Sequence, residues 1–292
     1  MGTIVEITVP EDSEASVEPA FSEIKRLEDI FSSYKKNSDP SGINASAGSL
    51  VKVNPETIDV LKAAKYVAGL SDGAFDPTVG VFAGLWGFSG ERGEVPTEEK
   101  IKKLLLLVDF KEITIDEQNG LAGLNKKGMA INLGGLAKGY IVGKAGAALK
   151  KNGVKKAIIK AGGDMFVFND HDKKPFKIGI RHPRKDSLLA ELDVLNGSVA
   201  TSGDYERFFI KGGKRFHHVL NPKTGYPSEG VLSATVIAKD PARADALSTA
   251  VFVLGRVMGM RLIEQLPDVE GVIVDSNERV FRSSGLAGRI LP

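Results

Sequence analysis

The chain has 292 residues, 42% hydrophobic and 26% charged, a balance that buries a sizeable core without disulfides or structural metals. Lys plus Arg number 39 and Asp plus Glu 37, a net charge of +2 that gives no electrostatic case for a nucleic-acid partner. Cysteine is absent, which excludes thiolate metal sites, a cysteine nucleophile and disulfides.

The N-terminus, MGTIVEITVP, alternates as a strand from Thr3 to Val9 and does not read as a signal peptide. The expectation is therefore a cytoplasmic protein or one whose leader has been removed. No stretch approaches the about 20 apolar residues of a membrane span, so no transmembrane segment is expected. Apolar residues Val17, Phe21, Ile24, Leu27 and Phe31 recur at helical spacing between Ser16 and Tyr34, and the polar run KKNSDPSGINASAG that follows reads as a loop. A second helix is predicted over 55–70, stopped by Ser71-Asp72-Gly73, and a third opens at Thr97 as N-cap with Glu98 and Glu99 in its first turn.

After Asn132 a Gly-opened helix runs to Lys151, with Gly153 as its C-terminal cap. Strands follow at 157–160, 176–180, 188–194 and 198–201, then a hairpin turning at Lys211-Gly212-Gly213-Lys214. Another strand at 231–238 precedes a helix over 241–254, and short strands near 271–275 and 279–282 close the chain. Helices and strands alternate without a regular βαβ rhythm, and hairpins dominate the second half. The pattern predicts an α+β fold in one domain of mixed, largely antiparallel sheets flanked by helices.

Four clusters carry candidate chemistry. In DPARADALSTA, Asp240 and Pro241 start a helix, and Asp245, Ser248 and Thr249 then share one face beside Leu247, Val251 and Leu254. A carboxylate with two hydroxyls is a hard-oxygen half-site for Mg²⁺. From spacing alone, a solvated face whose Ser and Thr bond back to the preceding turn is the commoner outcome. In INLGGLAKGY, two glycines at a helix start expose backbone N–H groups to an anion, with Lys138 one turn in; a close helix–sheet contact explains the glycines nearly as well.

The third cluster, SDGAFDPTVG followed by LWGF, joins an acid, an aromatic and the only tryptophan. It suits a cup for a planar ring or an ordinary turn above a core tryptophan. The fourth, HHVLNPKTGYP, holds two of the 4 histidines at a strand end, where alternation points them to opposite faces, so they do not chelate one metal together.

In this order the motifs SGIN, GAFDPTVG with LWGF, INLGGLAKGY, AGGD, VATSGDYERFF, HHVLNPKTGYP and ADALSTAVFVLG resemble the ApbE family, the FAD:protein FMN transferases, from residue 1 to about 275. The resemblance implies an ApbE-like, T-fold-related domain that holds FAD as substrate. It further implies Mg²⁺ at the pyrophosphate and transfer of FMN to a Thr or Ser hydroxyl of an acceptor flavoprotein as AMP leaves. It makes Asp245, Thr249 and the Gly135 carbonyl the metal ligands. Met1, Tyr34, Ala74, Phe75, Asp76, Asn132, Lys138, His218 and Leu220 become FAD contacts.

His218 is the first candidate for general base and Asp76 the second. Tyr34 favours transfer over hydrolysis. Asn132 and Ser248 stand where some members carry aspartate, each removing a negative charge near the metal. The family likeness also implies a cell-envelope or periplasmic setting with a lipoprotein anchor upstream. An FAD pyrophosphatase and a non-enzymatic FAD carrier are the alternative readings.

Overall fold

The computed structural model describes residues 2–88 and 93–291, and the structural statements below concern these. The first half runs β1 (Val5–Thr8), α1 (Glu18–Phe31), α2 (Asp39–Ala45), β2 (Leu50–Lys52), α3 (Pro55–Leu70), α4 (Glu98–Leu105), β3 (Ile113–Asp116), β4 (Leu121–Leu124) and α5 (Ala137–Lys151). The second half opens with β5 (Lys156–Ala161), β6 (Asp164–Asn169), β7 (Phe176–Arg181), β8 (Leu188–Val194), β9 (Gly197–Gly203), β10 (Phe208–Lys211) and β11 (Lys214–His217). It closes with β12 (Val231–Ala238), α6 (Pro241–Gln265), β13 (Val269–Asp275), β14 (Val280–Arg282) and β15 (Gly288–Ile290).

Among the described residues the main sheet has seven strands in the order β1-β5-β6-β9-β12-β13-β14. Its neighbours pair antiparallel throughout, the α+β arrangement expected from the pattern. One face of this sheet carries α5 and α6 over a core that runs from Ala20 to Ile273. The other face is covered by the small sheet β15-β8-β7, through Ile178, Ile180, Leu192, Val199, Val272 and Val274. Central strand β12 is therefore apolar on both sides, with Ala234 and Val236 toward the helices and Leu232 and Ile237 toward the small sheet. A third apolar cluster gathers Phe82, Trp86 and Ile101 under the separate hairpin β10–β11.

The predicted helix ends are made by the predicted residues. Thr97 accepts from the Lys100 N–H, and Asp240 accepts from the Arg243 N–H at 2.7 Å. Gly153 at φ +84° donates to the Lys150 carbonyl while Val154 donates to Leu149, a Schellman closure of α5.

Several expectations need correction. The polar run after Tyr34 contains α2, because Ser38 caps it by accepting from Ser41 N–H and Pro40 pre-sets its first turn. Strands β2, β3, β4, β6 and β15 were not predicted. α6 continues past 254 through a break at Gly255 (φ 77°, ψ 178°) to Gln265. By length and composition α6 is apolar enough to cross a membrane, with mean hydropathy 1.5, contrary to the expectation that no stretch approaches a span. It is the core helix: it packs on β9, β12, β13, α3 and α5, and Asp245 is buried within it.

Helices α5 and α6 lie unusually close. Gly135, Gly139 and Gly143 face Thr249, Asp245 and Pro241 in turn, one helical turn per step, so the helices run antiparallel. A Cβ on Gly139 would fall inside the van der Waals shell of the Pro241 carbonyl and 2.9 Å from Asp245 Cβ; one on Gly143 would meet Pro241 Cγ at 3.1 Å. Gly139→Ala is therefore expected to force the helices apart and destabilise the protein by about 1–3 kcal/mol. The denaturant midpoint measures this, and an unmoved midpoint would contradict the close contact.

Candidate active site

The helix contact sets Asp245 directly against the start of α5. Asp245 is 3% exposed; its Oδ2 accepts from the Gly139 N–H at 3.0 Å and its Oδ1 from Lys138 Nζ at 3.3 Å. Lys138 also bonds Asp164 at the mouth of β6, itself 2% exposed, whose other oxygen accepts from Thr201 N–H at 3.3 Å. Two buried acids thus share one ammonium. Burial, and then the Asp164 charge, push the Asp245 carboxyl well above the usual carboxylate range against the pull of Lys138. For Lys138, burial works against the charge, but the two carboxylates outweigh it and hold the ammonium above its usual range.

Thr249 stands one turn further along α6. Its Oγ1 is 3.4 Å from where a Gly135 Cβ would stand, and it shares a 3.1 Å hydrogen bond with Ser202 on β9. Asp245, Thr249 and the Gly134-Gly135 turn therefore meet, as the half-site reading requires. Ser248 does not join them: its hydroxyl donates back to the Asp245 carbonyl at 2.8 Å and meets Ser202 at 2.9 Å, and the residue is 1% exposed. The spacing argument placed three oxygens on one face; the structure aligns Asp245 and Thr249 and spends Ser248 on the helix and the sheet.

The Gly-Gly turn is held from three sides. Asn44 of α2 accepts from Ile131 N–H at 2.7 Å and donates to its carbonyl at 3.0 Å. Asn132 donates its N–H to Pro77 at 2.7 Å, and its side chain accepts from Gly134 N–H at 2.8 Å. Phe75, 4% exposed, packs its ring edge 3.1 Å from the Gly135 Cβ position. No side chain at the N-cap position closes α5, and its positive dipole end faces the cluster, but most of the leading N–H groups are engaged: Ala137 donates to the Leu133 carbonyl at 2.8 Å and Gly139 to Asp245 at 3.0 Å.

The remaining candidates separate by role. Ala74 is buried in the same turn as Phe75. Asp76 is no free base: Oδ1 accepts from both Thr78 N–H and Thr78 Oγ1, at 2.8 and 2.6 Å, and Oδ2 accepts from Phe110 N–H at 3.0 Å. Burial raises its pKa despite these bonds. It ties the 74–80 loop to the start of β3. Trp86 is fully buried and donates to the Gly225 carbonyl at 3.1 Å, so it is a core residue and not a ring cup.

His217 is 5% exposed, its Nε2 against the Ser228 carbonyl at 2.8 Å, whereas the neighbouring His218 is exposed, the opposite facing that alternation predicts. Crowding by protein, then Arg207 and His217, hold the His218 imidazole below its ordinary range, with a further contribution from Lys138 that places it near the cluster. His218 is thus exposed and neutral near pH 7. Leu220 packs at the edge of the Trp86 cluster. Tyr34 is 75% exposed and joins none of the cluster's hydrogen bonds among the described residues. Met1 lies outside the described residues; its neighbour Gly2 sits against Arg207, where a Cβ would be 3.2 Å from Nη2.

Sequence reasoning missed Asp164, Ser202 and Asn44. Each lies in a motif already singled out (AGGD, TSGD, SGIN), but none has a helical or alternating neighbour that shows where its side chain points. No group of three or more His, Cys, Asp or Glu side chains suited to a metal occurs among the described residues. A cation here would depend on fewer carboxylates together with hydroxyl, carbonyl and ligand oxygens.

Two buried acids sharing one ammonium beside a helix start, framed by an antiparallel sheet, form a polar, net-negative cluster that a hard cation would offset. The ApbE family matches residues 1–273, and the chain belongs to that family. It is 34% identical to an FAD:protein FMN transferase of Klebsiella pneumoniae (strain 342), over 100% of this chain and 92% of that protein. To the FAD:protein FMN transferase of Treponema pallidum (strain Nichols) it is 31% identical, over 94% of this chain and 81% of the relative. The crystal structure of the ApbE protein from Thermotoga maritima superposes with a TM-score of 0.88 at 37% identity, covering 97% of this chain and 94% of that one. The flavin transferase ApbE from Vibrio cholerae does so at 0.83 and 28% identity, over 97% and 94%. The chain is a transferase of this family.

Asp76→Asn is expected to leave a backbone N–H without its acceptor and cost about 1–3 kcal/mol. Chemical denaturation reads the loss, and an unchanged stability would contradict the bracing role.

Proposed function

We propose that the chain transfers the FMN half of FAD to a Thr or Ser hydroxyl of an acceptor flavoprotein, releasing AMP, with Mg²⁺ required. The observation that carries this reading is the Asp164–Lys138–Asp245 cluster meeting Thr249 and the Gly135 turn at the start of α5. Two acids against one ammonium leave a buried negative charge that a hard divalent cation would offset. Asp245, Thr249 and the Gly135 carbonyl are the donors that would hold it. Bound there, the ion supplies neutralisation of pyrophosphate charge.

The chain's own residues account for the rest. The positive dipole end of α5 faces the phosphate oxygens, and Lys138 in its first turn pairs with them. His218 takes the proton from the attacking hydroxyl. The acceptor oxygen bonds to the FMN phosphorus, the bond from that phosphorus to the bridging oxygen breaks, and AMP leaves with the electron pair. Asn132, the 74–76 turn, Leu220 and Tyr34 complete the flavin surroundings in this reading. An envelope or periplasmic setting belongs to the same proposal.

Incubation with FAD and an acceptor flavoprotein, with and without Mg²⁺, tests it. AMP should appear only with the metal, and flavin should stay on the acceptor after denaturation. Free FMN with an unlabelled acceptor would make the chain a pyrophosphatase, and intact FAD would make it a carrier. Asp245→Asn keeps an acceptor for Gly139 N–H and should abolish Mg²⁺-dependent AMP release; wild-type turnover would sink the metal assignment.

His218→Gln should lower the transfer rate about 10²–10⁴-fold, the usual contribution of a positioned base, with FAD affinity nearly unchanged. An equal loss of affinity and rate would make His218 a binding residue instead.

A further inference from the structure

The hairpin β10–β11 pairs with no other strand among the described residues, so each strand keeps a free edge. Its inner face is anchored: Phe209 stacks on Phe216 at 5.3 Å between ring centres, and Phe216 on Trp86 at 5.8 Å. Its outer face is covered only at the His217 end, where that ring meets Phe252. Phe208 is 39% and Ile210 63% exposed. Arg215 lies over the Phe208 ring, 3.9 Å from its centre.

The charge on this arm is one-sided. Arg207, Lys211, Lys214 and Arg215 fall within one short stretch that holds a single acid, Glu206. Register sets Lys211 directly opposite Lys214, a like-charge pairing that disfavours the hairpin. Glu229 meets Lys214 at 2.6 Å and Asp204 stands 3.9 Å from Arg215. Among the described residues no acid meets Lys211 or Arg207.

The arm also leads into the site. His217 closes β11 opposite Phe208, and the His218 N–H donates to the Arg207 carbonyl at 3.0 Å. From His217 to the turn is about 10 Å of strand. We propose that the outer face and free edge of this hairpin dock an acidic, extended segment of the acceptor protein, adjoining the residue whose hydroxyl is presented to His218. The inference rests on the transferase reading above. A strand bound along the edge would take backbone hydrogen bonds from it, apolar contact from Phe208 and Ile210 on one side, and charge pairing from Lys211 and Arg207, which alternate to the other side. Because the acceptor hydroxyl must come to His218, its flanking residues fall on this arm, which favours a protein segment over an anionic lipid surface.

The test compares wild type with the double variant Ile210→Asp/Lys211→Glu and with Lys211→Glu alone, both on exposed positions outside the FAD site. Transfer kcat/KM for a soluble acceptor flavoprotein should fall roughly tenfold in the double variant and less in the single, as for reversed charge at a docking rim. FAD affinity, read by flavin fluorescence, and the melting temperature should stay at wild-type values in both. Added salt should slow transfer by wild type more than by either variant.

Equal transfer by wild type and both variants would overturn the proposal. So would co-sedimentation of wild type, but not of the variants, with phosphatidylglycerol vesicles while soluble transfer is unchanged, which would give the face to lipid. FAD binding without transfer by wild type would remove the transferase reading, and the docking assignment with it.

Discussion

Everything at the site follows from how closely α5 and α6 approach. Three glycines at four-residue intervals remove the side chains that would hold the helices apart, and Asp240 with Pro241 starts α6 where Gly143 can receive it. At that separation a carboxylate two turns into one helix reaches the first-turn N–H groups of the other. An ordinary helix pair at 8–10 Å would bury apolar side chains at this contact and leave Asp245 remote from the Gly-Gly turn. The fold thus turns a packing device into an electrostatic one: a helix dipole, two buried acids and a half-buried ammonium are brought together.

Such a cluster is costly to maintain. Removing two carboxylates from water for a single ammonium leaves charge that the protein alone does not balance, and the upward push on the Asp245 carboxyl reflects it. Asp164 and Asp245 arrive from opposite layers, one from the turn before β6 and the other from the helix above. Lys138 bridges the layers, so sheet, α5 and α6 hold the site jointly. The loops above it are braced rather than free: Asn44 fixes Ile131, Pro77 receives Asn132, and Asp76 secures the 74–80 segment. A site braced this way presents its oxygens with little reorganisation when a charged ligand arrives.

Where periodicity or capping chemistry speaks, the structure was legible in advance. The α+β class, α3, both ends of α5, the start of α6 and the β10–β11 turn follow from local patterns, and the Asp245–Thr249 face from helical spacing. What stayed hidden depends on tertiary context. α2 is polar on its exposed side and capped by a serine that reads as loop. β6 begins right after the Gly162-Gly163 turn, so the strand went unseen and Asp164 with it. Ser248 shares a face with Thr249 by count, but sheet strand β9 decides that its hydroxyl meets Ser202. Asp76 stood second among the base candidates; only the positions of Thr78 and Phe110 show both of its oxygens engaged.

The central claim is that the oxygens of Asp245, Thr249 and the Gly135 turn hold a divalent cation against the pyrophosphate. Diffraction from crystals grown with Mn²⁺ and FAD, recorded at the manganese edge, tests it most directly. The account predicts an anomalous peak within bonding distance of the Asp245 carboxylate and Thr249 Oγ1, with phosphate oxygens at the start of α5. A peak elsewhere, or FAD bound with the Lys138–Asp245 pair intact and no metal beside it, would contradict the account.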